Sequence, residues 1–142
     1  MPDAIAWIVI AVFALLSGIH ALWACGVGKG KDAAIPALDG HPAFVPCAAA
    51  TFGVAIVLAL CALLVAASAG FIMSNVPASW ITWLAFLLAV ALVARAVGDF
   101  RLVGFFKRVR GTRFARMDSV LYAPLCLVLG VAVVYVAIGH RH

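Results

Sequence analysis

The chain has 142 residues, of which 68% are hydrophobic and only 11% charged, with mean hydropathy +1.23 and a net charge of +5. A water-soluble domain carries roughly a quarter of its residues as charges, so this composition excludes one and points to an integral membrane protein with a single domain. Five of the ten basic residues, Lys107, Arg108, Arg110, Arg113 and Arg116, fall in one short segment between apolar runs. In that setting they are expected to fix topology and to meet anionic lipid headgroups rather than nucleic acid.

The first apolar run, residues 4–24, has the roughly 20 residues needed to cross a hydrocarbon core. Its start, Met1-Pro2-Asp3, lacks the basic leader of a signal peptide, so it is read as a retained helix. The stretch from Gly26 to Pro46 is rich in glycine and proline and reads as a loop. Gly28-Lys29-Gly30 has neither the preceding strand nor the closing Gly-Lys-Ser/Thr of a phosphate-binding loop.

Residues 47–73 form the second span. Ala48, Ala55, Ala59, Ala62, Ala66 and Ala69 share one helical stripe, and Ala11, Ala14, Gly18, Ala21 and Cys25 form a similar one on the first span. Small residues let membrane helices approach closely, so these stripes are expected to face each other. The third span, 80–106, opens on Trp80 and Trp83 and is expected to continue helically to about Arg110, with Gly111 ending it. The basic loop 107–117 follows. The fourth span is 120–138, with Asp118 or Ser119 capping its start and Pro124 near its first turns.

Four spans predict an all-α transmembrane bundle. Seven basic residues (Lys29, Lys31 and the five of the 107–116 segment) lie on one side, against Arg141 alone on the other. The positive-inside rule then places both termini outside and the basic loops in the cytoplasm.

With that topology the chemistry-bearing residues collect in the cytoplasmic half. Arg95 and Asp99 are four apart, the spacing of an intrahelical pair. Charges at membrane depth are costly and turn inward to find partners. Two readings stay open: an ion pair that is only structural, or a ligand site with Arg95 and Arg101 as donors and Asp99 as orienting acceptor. His20 and Trp23 on the first span and Tyr122 on the fourth would line such a site, with Asp118 beside Tyr122. No cofactor is expected, since haem wants a second facing ligand. Nor is a metal expected, since Cys25, Cys47, Cys61 and Cys126 contain no Cys-x-x-Cys and read as buried, inert thiols.

Three blocks carry a family resemblance: His20-x-x-Trp23-x-x-Gly26, the run from Arg95 through Gly98-Asp99-Phe100-Arg101 to Gly104-Phe105-Phe106-Lys107, and Phe114-x-x-x-Asp118-x-x-x-Tyr122-x-Pro124-Leu-Cys126. Together they resemble a family of small bacterial membrane proteins catalogued as domain of unknown function 3995. The first loop departs from the pattern, with Ala24-Cys25 and Pro46-Cys47 where more glycine is expected. The resemblance implies a four-helix membrane fold and brings no activity with it.

The residues themselves favour a non-enzymatic module that binds or transports a small anionic or amphiphilic ligand in the cytoplasmic half. Transport through four spans would call for a homodimer. The alternatives are an enzyme on a lipid or isoprenoid, with His20 and Asp99 or Asp118 as acid and base, and a structural subunit of a larger complex.

Overall fold

The computed structural model describes residues 2–28, 34–38, 41–73, 75–98 and 101–139. Four helices are long and apolar enough to cross a membrane: α1 (Pro2–Ala24), α2 (Ala48–Ser68), α3 (Ala78–Val97) and α4 (Arg113–Gly139). Between α1 and α2 a two-residue hairpin pairs β1 (Ala37–Leu38) with β2 (His41–Pro42), antiparallel. Lys29, Lys31, Asp39, Asp99 and Arg141 lie outside the described residues.

Each helix is adjacent to its chain neighbour, and α4 returns to α1, which closes a four-helix bundle. Gly139 at the end of α4 lies beside Pro2 at the start of α1. The core is built of small and mid-sized groups: Ala6, Val9 and Phe13 of α1, Ala62 and Val65 of α2, Ala85 and Ala89 of α3, and Val133 and Val136 of α4. Little is enclosed, because outward positions are apolar as well. Ile8 is 63% exposed and Leu87 65%. Apolar surface on this scale suits lipid and not water.

The alanine stripe of α2 packs as expected through Ala55, Ala62, Ala66 and Ala69, which are buried. The α1 stripe does not: Ala11, Ala14, Gly18 and Cys25 are exposed. The buried line of α1 is Ala6, Val9 and Phe13, extended by Ser17, whose hydroxyl donates to the Ala55 carbonyl at 2.8 Å.

The third helix is shorter than the 80–106 span and stops well before Arg110. α3 ends at Val97, where Gly98 adopts φ +87°. Apolar periodicity runs on through Leu102, Val103, Phe105 and Phe106, so composition hides the stop. The fourth helix, in turn, begins earlier than residue 120. Thr112 caps it, its Oγ accepting from Ala115 N at 3.0 Å. Arg113 and Arg116 sit in that first turn, where the helix dipole disfavours cations, which makes the start read as loop.

A π-turn over Asp118–Tyr122 interrupts α4. It lies directly before Pro124, which has no N–H and whose ring would crowd the carbonyl four residues back. Widening the helix by one residue relieves both problems and rotates Asp118 inward.

Candidate functional site

All four helix ends next to the two long connections gather at one end of the bundle. Three features stand there: a buried charge cluster, a basic recess beside it, and an apolar recess on the opposite pair of helices.

The cluster is centred on Asp118, whose side chain is 0% exposed. Its Oδ1 accepts from Arg95 Nη2 at 2.9 Å, and its Oδ2 accepts from Gly104 N at 2.7 Å and from Lys107 Nζ at 3.0 Å. Lys107 spends its other two protons on the Gly104 carbonyl at 2.9 Å and the Ser119 hydroxyl at 2.7 Å. An ammonium has three donors, and all three are used in a side chain that is 2% exposed. Breaking such a pair leaves a charge uncompensated, which is why partial removal is costly.

Backbone geometry makes this latch feasible. Gly98 and Gly104 both have positive φ, and their backbones touch. A Cβ on Gly98 would run into the Val103 carbonyl, and one on Gly104 into the Val97 carbonyl. The contact closes the segment from 98 to 104 on itself. Phe105 N then satisfies the Ala96 carbonyl, one of the orphan acceptors at the end of α3, at 2.9 Å. The glycines of the Gly98-to-Lys107 block thus place Gly104 N and Lys107 over Asp118.

The basic recess, about 360 Å³, adjoins Lys107 and is lined also by Arg110, Thr112, Arg116 and Ser119. Arg110 and Arg116 are exposed, so their guanidinium groups are available to an anion at the helix end.

The apolar recess, about 250 Å³, lies between α1, α2 and the first connection. His20 and Trp23 line it together with Ile35, Phe44, Thr51 and Val54. His20 Nδ1 donates to the Leu16 carbonyl at 2.8 Å, and its ring meets Trp23 edge-on with centroids 5.1 Å apart.

The structure therefore divides the residues expected to act together. Arg95 and Asp118 meet. Tyr122 stays near them, packed against Phe114 with ring centroids 6.1 Å apart. His20 and Trp23 go to the other recess. Arg101 is exposed, and its carbonyl accepts from Val109 N at 3.0 Å. Asp99 is outside the described residues, so its expected pairing with Arg95 is too.

Asp118 is not the helix cap it is expected to be. It lies inside α4, and Thr112 holds the cap. Lys107 is the residue sequence reasoning missed: read as one of five headgroup cations, it is buried at 3% exposure. Nothing in the spacing separates it from its neighbours. A lysine among arginines is a weak cue, since three acceptors around a point charge suit an ammonium better than a planar fork.

The thiols also differ from expectation. Cys25 and Cys47 are exposed, and Cys61 and Cys126 partly so. Cys47 caps α2, its sulfur accepting from Ala50 N at 3.4 Å. Among the described residues no three His, Cys, Asp or Glu side chains gather as a metal would require.

No curated protein and no solved structure matches the chain. One family profile does, over residues 5–133, and that span takes in Arg95, Lys107 and Asp118 of the latch as well as His20 and Trp23. The chain belongs to the family described as Protein of unknown function (DUF3995).

Proposed function

We propose that this protein is a non-enzymatic module of the bacterial cytoplasmic membrane that binds an anionic lipid headgroup at its basic end, which faces the cytoplasm. The observation that carries the reading is the recess at the start of α4, where Arg110 and Arg116 stand exposed beside the Thr112 and Ser119 hydroxyls and no acidic side chain is among the described lining residues. Guanidinium groups match phosphate oxygens in pairs. The charge balance supports it. Among the described residues Arg95 and Lys107 face the one carboxylate of Asp118, and Arg95 Nη1 is enclosed without a hydrogen-bond partner. Counted over those residues the cluster is net positive, and positive charge at membrane depth favours an anion close by. Both oxygens of Asp118 already accept bonds, which favours binding over acid–base chemistry at that carboxylate.

The test is thermal unfolding of the detergent-solubilised protein with short-chain phosphatidylglycerol or phosphatidylcholine added. Phosphatidylglycerol is expected to raise Tm, and Arg110→Ala/Arg116→Ala to remove that rise while keeping its own ligand-free Tm. Equal stabilisation by the two lipids, or a rise that survives in the double variant, refutes the reading.

The exposed α1 stripe favours a second reading, association with another helix, and a homodimer is its simplest form. Gly18→Ile would then convert a dimer to a monomer in light scattering. A monomeric wild type ends it.

A further inference from the structure

The recess that holds His20 plays no part in anion binding, and its chemistry points elsewhere. None of its described lining residues is charged, and Ile35, Phe44 and Val54 give it apolar walls. Among the described residues an anion would find no cation there, and a cation no carboxylate.

Beside the Trp23 indole N–H, which can only donate, two acceptors face the recess. The Leu16 carbonyl can only accept, so His20 Nδ1 carries the proton of that 2.8 Å bond. In the neutral imidazole Nε2 is then a lone pair. Trp23, edge-on at 61°, holds the ring in place. The Thr51 hydroxyl donates to the Cys47 carbonyl at 3.1 Å, which leaves its oxygen to accept as well. Two acceptors among apolar described walls, with an indole N–H at their side, suit a neutral molecule whose polar group both donates and accepts.

Its position adds the second half. The recess sits at the same bundle end as the headgroup-level charges, and Val54, 45% exposed, opens from it onto the apolar surface of α2. About 250 Å³ is small beside the 300–1,000 Å³ of typical ligand pockets. It has room for a head and the first part of a chain, with the remainder lying along α2.

We propose that the recess between α1 and α2 binds the hydroxyl-bearing head of a neutral amphiphile, a long-chain alcohol or prenol, with His20 Nε2 as the acceptor. The site is separate from the basic recess, and its ligand is of a different class.

The probe is 1-decanol carrying a diazirine, irradiated with the full chain in phosphatidylcholine nanodiscs, with the labelled residues found by mass spectrometry. Labelling should concentrate on Phe44 and residues 50–54. Unlabelled 1-decanol should compete at about tenfold lower concentration than decanoate or decylammonium. His20→Phe keeps the ring and removes the acceptor, and it should weaken labelling about three- to tenfold, the worth of one hydrogen bond. Ala50→Trp fills the recess and should abolish labelling there, whereas Arg110→Ala/Arg116→Ala should leave it unchanged. Labels spread evenly over lipid-facing residues overturn the proposal, as do equal competition by the ionic probes or unchanged labelling in Ala50→Trp. The competition series and Ala50→Trp decide the matter even if His20→Phe fails to fold.

Discussion

The connection from α1 to α2 and the connection from α3 to α4 leave the same end of the bundle, yet they are held by different physics. The second is folded onto Asp118 by two cations and a backbone N–H, and its two glycines are packed backbone to backbone. The first has a hairpin of two residues per strand, flanked by a bond from Ala43 N to the Pro36 carbonyl at 2.8 Å. It bounds a recess with no charge among its described lining residues. Buried charge paired on Asp118 makes one connection a rigid wall for the basic recess. The other relies on apolar contact, which specifies geometry less sharply and leaves space for a guest.

That contrast can be broken by mutation. Asp118→Ala should have the largest effect, about 3–5 kcal/mol of stability in reversible unfolding in detergent, because Lys107 loses the anion that its buried ammonium faces. Adding Lys107→Met should recover part of that loss. No recovery would mean that the carboxylate matters for a reason other than charge.

Gly104→Ala comes next, at about 2–3 kcal/mol, since the new Cβ meets the Val97 carbonyl and the Gly98 backbone at φ +88°. Its control is Gly26→Ala in the first connection, also at positive φ but with open space around it. That change should cost only about 1 kcal/mol. Equal losses would show that the two connections are equally tight.

Thr112→Ala removes the cap of α4 and should cost about 1 kcal/mol. Smallest of all, Arg110→Ala and Arg116→Ala should each stay within about 0.5 kcal/mol of wild type, as exposed residues do. A larger loss at either would place it in the latch rather than at its rim.

Several particulars of the site were readable before any coordinates. Arg95 stands out as a charge near the end of an apolar run, and the charged residues collect toward one end of the bundle. Asp118 was singled out but given the wrong task. A cap and a buried acceptor look alike in sequence, and the difference lies in where Thr112 starts the helix and where Pro124 forces a π-turn. Lys107 could not be told from its basic neighbours. His20 was grouped with Arg95 because both lie near the same membrane face, but distance around the bundle is not a property of depth. The stripe of small residues on α1 misled for a related reason: small side chains permit close approach but do not compel it.

What the amino-acid sequence determined by itself is the object's class: four apolar stretches of spanning length, charge concentrated toward one end, and membership of a membrane family. These follow from local composition, because cost in lipid is counted residue by residue along a run. The tertiary structure decided which charges are partners and which recess each polar group serves. Asp118 meets Arg95 from 23 residues away and Lys107 from 11. Those distances close only once two glycines at positive φ have ended α3 and folded the chain back over α4.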